Sequence, residues 1–495
     1  MAGGVAYASP RGRWVLLATV LGSGLAAIDA TVVGIALPAI GRDFRVGLTS
    51  LQWIVTGYTL TLAGLLLVGG ALGDRYGRRR VFVTGVLWFA LASLLCGLAP
   101  DAEILIAARA LQGCGAALLT PSSLAIIEAT YVPADRDRAI GAWSGLGGLA
   151  VATGPLLGGW LVSSVSWRYI FLINMPLAVA VTWICLRHVP ETRDATATGR
   201  IDVAGGLLVT VSLVGLCFGL TEGAHLGWTS PAVVGALVVG AVLFVGFVAR
   251  QRRAAHPLLP LALFASRRFS ATNAVTFVVY GALGAVLFLL PIQLQQVSGY
   301  SPLAAGTALL PVTLIMLLLS ARSGALAGRI GPRPQLAVGP VVVGAGIVLL
   351  GRIGPGGSYV TEVLPAVGVF GLGLATTVAP LTATALRSAP PERSGVASAV
   401  NNAIARAAGL VAVAILPAAA GIGELTYLHP AAFATGFRTA CYLAAAVCVL
   451  GGLLAAVTIG RAERPAVPAP PSPAVREAEP GRRRFHCGLD ATPLQ

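Results

Sequence analysis

Two ionisable residues stand where such residues are rare. Asp29 lies in the apolar stretch Ala-Ile-Asp-Ala-Thr-Val-Val-Gly-Ile-Ala-Leu-Pro, and Arg109 opens Arg-Ala-Leu-Gln-Gly-Cys-Gly in another. Inside a bilayer an ionised side chain costs about 2.5–3.5 kcal/mol by insertion scales unless it is paired or wetted. Low dielectric disfavours the charged form of a carboxyl group. A carboxyl that can exist in both forms suits proton uptake from one side and release to the other, and an ionised one suits recognition of a cationic cargo. Arginine stays protonated, so Arg109 would act by biasing a nearby carboxylate and organising water. Asp29 is a candidate partner for it. The alternative is an aspartate and an arginine that only bond neighbouring helices. Gln52, Tyr58, Gln293, Gln295, Asn401, Asn402 and Arg406 also interrupt apolar runs and are candidates for the wall of a cavity. Gln295 could instead lie in an outer loop, and each of these residues could serve packing.

The elements that must position them are long and apolar. The chain has 495 residues, 56% hydrophobic and only 11% charged. That is too little charge for the wetted surface of a soluble protein of this size. Apolar runs fall at 14–38, 48–72, 81–99, 102–125, 139–162, 168–187, 203–221, 231–249, 270–292, 303–327, 335–351, 362–385, 395–420 and 436–460. Each approaches the length needed to cross a hydrocarbon core of ~30 Å, which predicts about fourteen transmembrane helices. The first run meets Asp29 and Pro38 where a cleavable leader would end, and it reads as a retained span.

The formal net charge of +15 comes with arginine as the sole basic residue besides histidine. The arginines do not form a soluble basic face, which argues against nucleic-acid binding. They fill alternate connections: Arg75, Arg78, Arg79 and Arg80; Arg136 and Arg138; Arg193 and Arg200; Arg250, Arg252, Arg253, Arg267 and Arg268; Arg329 and Arg333; Arg387 and Arg393. The intervening connections hold little beyond Arg42, Arg45, Arg168 and Arg352. By the positive-inside rule this places both termini in the cytoplasm and requires an even number of spans.

Several functions lack their sequence signatures. No GxxxxGK[ST] loop supplies nucleotide energy, and no HExxH or GxSxG motif marks an enzyme. The seven cysteines form no CxxC pair, and six of them lie in apolar runs, as buried thiols do. The expectation is a chain with no catalytic residues, no metal and no cofactor, driven by an ion gradient.

A repeat divides the chain. Gly70-Ala-Leu-Gly-Asp-Arg-Tyr-Gly-Arg-Arg-Arg80 aligns without gaps on Gly324-Ala-Leu-Ala-Gly-Arg-Ile-Gly-Pro-Arg-Pro334. A weaker echo pairs Gly113, Gly115 and Ala117 with Gly371, Gly373 and Ala375. Paired halves of several helices are the mark of transporters built from repeats. In the first copy Gly73, Asp74, Arg75, Gly77, Arg78 and Arg79 read as a gate. Its glycines would permit a tight reversal, its carboxylate would face a helix N-terminus, and its arginines would bind carbonyls or lipid phosphate. Gly154 and Gly158 share one helix face and permit close approach, and Pro155 can bend the span.

The segment Gly73-Asp74-Arg75-Tyr76-Gly77-Arg78-Arg79-Arg80 resembles the loop between helices 2 and 3 of the major facilitator superfamily. Leu51-Gln52-Trp53 with Tyr58, the run 145–159 that contains Gly154-Pro155 and Gly158-Gly159, Trp167 to Asn174, and Pro291 to Pro302 resemble motifs of its fourteen-span drug:proton antiporter branch. The resemblance covers about residues 14–460. It implies an all-α membrane fold of two pseudo-symmetric six-helix bundles plus two inserted helices. With the arginine asymmetry and a tail rich in Pro, Ala and Arg that lacks apolar periodicity, the expected organisation is a cytoplasmic N-terminus at 1–13, bundles at 14–190 and 270–460, two linker helices within 191–269, and a disordered cytoplasmic tail at 461–495. The resemblance implies proton coupling through Asp29 and Arg109, a cytoplasmic gate, and an antiporter motif at Gly154, Pro155, Gly158 and Gly159. Gly34 departs from the family pattern, which commonly carries asparagine there.

The expected function is proton-coupled efflux of small amphipathic molecules from a plasma-membrane monomer by alternating access. The partners are the cargo, protons and the bilayer, with no nucleic acid. A symporter or facilitator on the same fold is one alternative, and a non-transporting receptor or lipid-handling protein is another. The arginine asymmetry carries its own test: alkaline phosphatase fused after residue 459 should be inactive, whereas green fluorescent protein fused there should fluoresce.

Overall fold

The computed structural model describes residues 4–194, 201–254, 257–390 and 394–459. The expected tail, with Cys487, lies outside the described residues. Fourteen described helices are long and apolar enough to span a bilayer. They are α1 (Pro10–Phe44), α2 (Leu48–Tyr76), α3 (Arg78–Gly97), α4 (Ala102–Thr130), α5 (Pro133–Ser164), α6 (Tyr169–His188), α7 (Val203–Leu226), α8 (Pro231–Arg253), α9 (Arg267–Val297), α10 (Pro302–Ile330), α11 (Pro332–Leu350), α12 (Tyr359–Arg387), α13 (Gly395–Ala419) and α14 (Pro430–Thr458). In hydrocarbon no water can satisfy the backbone, so each apolar run closes its own hydrogen bonds as a helix.

Several helices outrun the apolar stretches that predict them. α1 passes through Pro38 to Phe44, because one missing N–H bond does not end a helix whose other backbone groups have nowhere else to bond. Polar caps set other ends. Asp101 accepts from the Ile104 N–H at 2.8 Å to start α4, and Ser301 accepts from Ala304 to start α10.

Packing repeats across the two halves. In the first, α1 lies against α5 and α6, α4 against α2 and α3, and α3 against α6. In the second, α9 lies against α13 and α14, α12 against α10 and α11, and α11 against α14. The halves meet along α5–α10 and α2–α13, two seams related by the same pseudo-twofold. The glycine echo has one steric cause. A Cβ on Gly115 would come within 2.6 Å of the Phe89 nitrogen on α3, and one on Gly373 within 2.4 Å of the Val343 nitrogen on α11. Both are the close backbone crossings that small residues permit.

The inserted helices sit outside. α7 packs on α2 and α13, and α8 packs chiefly on α7. Asp202 braces the arginine-rich end of this pair. It accepts from the Gly205 N–H at 2.9 Å, Arg250 Nε at 2.6 Å and Gln251 Nε2 at 2.8 Å. Burial alone would raise its pKa, but these three donors outweigh burial and hold it below the ordinary carboxylate value. Losing the cap costs about 1 kcal/mol, so Asp202→Ala should lower the unfolding temperature in detergent. Because the folded pKa is depressed, the Asp202 contribution is complete above the unfolded carboxylate value of about 4 and fades as pH falls through the folded value. The gap between wild type and Asp202→Ala should therefore narrow below that range.

Candidate functional site

Asp29 and Arg109 meet. Arg109 Nη1 lies 2.5 Å from Asp29 Oδ2, and each side chain is 1% exposed. The helical spacing makes Gln112 the neighbour of Arg109 on the same face of α4. Its amide accepts from Arg109 Nη1 and donates to Asp29 Oδ1 at 2.8 Å. Arg109 Nε also donates to the Ile54 carbonyl of α2 at 3.2 Å. The guanidinium lies over the Tyr58 ring, 4.3 Å from its centroid, and 5.7 Å from that of Phe171. Gln112 Nε2 donates to Ser93 Oγ at 2.6 Å, and Asn174 Nδ2 reaches the same oxygen at 3.1 Å. One network therefore runs from α1 through α2, α4 and α3 to α6.

Three members, Gln112, Ser93 and Asn174, are absent from the sequence-derived candidates. Gln112 and Asn174 lie inside quoted motifs, so spacing carried a signal for them. Ser93 carried none.

Beside this network a cavity of about 1960 Å³ opens toward the arginine-rich connections. A pocket for a drug-sized ligand typically holds 300–1,000 Å³, so a bulky cargo and water fit together. Ala26, Ala27, Ala30 and Thr31 of α1 line it. Asp29, on the same turns, points away to Arg109. Trp143 of α5 and Leu66 of α2 supply apolar wall, with Asn402 and Arg406 from α13.

Five predicted cavity residues are elsewhere. Gln52 donates to the Val413 carbonyl at 2.6 Å, across the α2–α13 seam. Tyr58 covers Arg109 and donates to the Ala26 carbonyl at 3.3 Å. Gln293 is buried and donates to the Ile353 carbonyl at 2.8 Å. Asn401 is buried against Asn273 Oδ1 and Thr276 Oγ1 of α9, at 3.0 and 2.9 Å. A polar residue in a span seeks the nearest backbone or polar partner, and here that partner is another helix rather than the cavity. Gln295 is helical, not in a loop, and its amide reaches the Ile35 carbonyl at 2.9 Å.

The end opposite the cavity mouth is closed by contacts between halves. Gln52 and Gln295 contribute, and Glu424 accepts from the Thr49 N–H at 3.0 Å. Gly159 carries the backbone of Pro302 and Leu303 so close that a Cβ would come within 2.6 Å, and the Pro155 carbonyl presses on Gly306 in the same way. Gly154 and Gly158 face Thr31 and Val32 of α1 instead. The glycines thus serve two interfaces, one within the half and one between halves.

The segment from Gly73 to Arg79 lies at the cavity mouth. Gly77 has φ +112° and makes the turn, as Gly331 does with φ +84° in the repeat. Gly73 does not share that role: it is helical and faces Ser122 of α4. Asp74 pairs with Arg78 at 2.8 Å, and Arg78 Nη1 donates to the Ala125 carbonyl at 3.2 Å. Arg75 lies 5.5 Å from the Tyr76 ring centroid and lines the mouth. The carboxylate that caps α3 is Glu191 rather than Asp74. It accepts from the N–H groups of Arg79 at 3.0 Å and Arg80 at 3.2 Å. Arg79 Nη1 donates to the Val189 carbonyl beyond α6, and Arg333 Nε to the Ala456 carbonyl near the end of α14, so the same contact is built twice.

The sequence profile of the Major Facilitator Superfamily matches residues 19–413. The puromycin resistance protein pur8 of Streptomyces alboniger is 37% identical over 467 residues, covering 91% of this chain and 92% of that one. The tetracenomycin C resistance and export protein of Streptomyces glaucescens is 36% identical over 410 residues, covering 82% and 76%. In fold, the chain is similar to a bacterial homolog of the human lysosomal transporter Spinster, in an inward-facing and unoccupied conformation. That likeness has TM-score 0.65 and 17% identity, and covers 91% and 97% of the two chains.

Removing one member of a buried ion pair leaves the other uncompensated and costs about 3–5 kcal/mol. Arg109→Ala should therefore depress the unfolding temperature in detergent far more than the exposed control Arg80→Ala. Equal melting of the two variants would contradict the burial described here.

Proposed function

Because the chain belongs to the major facilitator superfamily, we propose that it exports small amphipathic molecules in exchange for protons. The observation that carries this reading is the threefold duty of α1. It bears Asp29, paired with Arg109; it supplies Ala26, Ala27, Ala30 and Thr31 to the cavity wall; and its Ile35 carbonyl is part of the far seal. A change at the carboxylate is therefore mechanically close to both the cargo and the closure.

The arginine-rich end faces the cytoplasm of a plasma-membrane protein, on the charge asymmetry of the connections. The cavity then takes cargo from inside. Protonation of Asp29 cancels the negative charge opposite Arg109. The guanidinium keeps the Ile54 carbonyl, the Gln112 amide and the Tyr58 face, so it is not left bare. α1 loses a tether to α4 and can move with α5, which packs on it through Gly154 and Gly158. Rocking of the halves would break the Gln52, Gln295 and Glu424 contacts at the far end and bring the gate segments together at the mouth. Coupling is then a difference in proton and cargo affinity between the two facing states. The gradient is the energy source, no cofactor takes part, and one chain contains the complete path.

Asp29→Asn keeps the shape and an acceptor but no longer takes up a proton. In proteoliposomes it should fold, bind cargo and equilibrate it, yet fail to accumulate it against its gradient. Uphill accumulation by Asp29→Asn at the wild-type rate would remove Asp29 from the coupling step.

A further inference from the structure

Arg406 is the charged residue that the proton network leaves unused. It lies on α13, eleven residues in from Gly395, or about 16 Å along the helix. That is the middle of the span, and its side chain lines the cavity. It forms no hydrogen bond or ion pair with any described residue, whereas Arg109 bonds Ile54, Asp29 and Gln112 and lies over the Tyr58 ring. The phenol of Tyr58 is a neighbour within charge–charge range, and no described carboxylate lies within ion-pair distance of Arg406.

The acids of the cavity are elsewhere. Asp74, Glu128, Asp137, Asp194 and Asp202 all stand at the mouth, within the last or first turns of their helices or in the connections. Arginines share that rim, among them Arg75, Arg78, Arg136 and Arg252, and the rim is close to balanced. Asp29, the acid at mid-depth, does not line the cavity and is neutralised by Arg109. The deep chamber therefore carries one uncompensated positive charge on a wall of Ala27, Ala30, Trp143 and Val151. An unpaired charge at mid-membrane depth is expensive and marks a binding path. A guanidinium presents a flat fork of donors that matches a carboxylate in two parallel bonds.

We infer that the deep chamber selects cargo bearing an acidic group, a carboxylate or an equivalent oxyanion on an aromatic or aliphatic body, with Arg406 as its counter-ion. This deepens the export reading and rests on it. The acid pairs with Arg406, and the apolar body lies on the α1 and α5 wall. Asn402, one turn nearer the mouth, gives one N–H to the Ser398 carbonyl at 3.1 Å and leaves its amide oxygen and second N–H for a neutral group on the same cargo.

The test is equilibrium binding to the full chain in nanodiscs, with no gradient, using three probes of one shape: 1-pyrenebutyrate, its uncharged amide and 1-pyrenebutylammonium. Wild type should bind the carboxylate at least tenfold more tightly than the amide, and the ammonium most weakly. Added salt should weaken the carboxylate alone. Arg406→Gln should lose the carboxylate preference and keep amide binding, while Arg406→Lys retains part of it. A wild-type protein that binds the carboxylate no better than the amide, or prefers the ammonium, overturns the inference without any variant. Equal loss of all three probes in Arg406→Gln overturns it too. Either result leaves uphill export untouched, because that is read from gradient-driven accumulation in proteoliposomes.

Discussion

The first half of the molecule is organised around one buried charge. The Arg109 guanidinium has no water to turn to, and the helices around it are placed so that each supplies something. α1 gives a carboxylate, α2 a carbonyl and an aromatic face, and α4 the Gln112 amide. α3 and α6 hold that amide in register through Ser93 and Asn174. A buried ion pair is a poor source of net stability, because desolvation offsets most of the attraction. Apolar side chains would hold the same helices more cheaply, and the second half does so. Val367, at the position equivalent to Arg109 in the glycine alignment, is fully buried in an apolar cluster. The same helix packing therefore exists in this chain with and without the charge, so the charge is not what packing alone requires.

The asymmetry extends to the mouth. Asp74 and Arg78 of the first repeat correspond to Gly328 and Pro332 of the second, so the Asp74–Arg78 pair has no counterpart. What the halves do share is the turn at Gly77 and Gly331 and the arginine that bonds a carbonyl at the end of the last helix of its half. Those shared contacts stay within one half. They stiffen each bundle as a body, and a rigid body is what a rocking motion needs. The seams between halves are built differently. They use backbone contact at Gly159 and Gly306 and single side-chain-to-carbonyl bonds at Gln52 and Gln295. Each such side-chain bond is individually modest.

Much of this was legible in the chain itself. In lipid an apolar run of sufficient length has one permitted backbone structure, so the fourteen helices follow from composition alone. The repeat follows from matching small residues, because a close helix crossing excludes everything larger. Asp29 and Arg109 stood out because a charge in an apolar run demands an explanation wherever it points.

Direction was what composition left undecided. A residue's position along a span is local information, but the neighbour it faces depends on the rotation and tilt of every helix in the bundle. Asn401 and Asn402 are adjacent, yet one is buried against α9 and the other lines the cavity, because successive residues on a helix point about 100° apart. The same holds for Gly158, which meets α1, and Gly159, which meets α10. Glu191 takes the capping role that the sequence suggested for Asp74, since α6 delivers it to the start of α3 from more than a hundred residues away. Spans, repeat and buried charges were set by local chemistry; partners, cavity wall and seal were set by packing, which sums interactions over the whole assembly and cannot be read from any one segment.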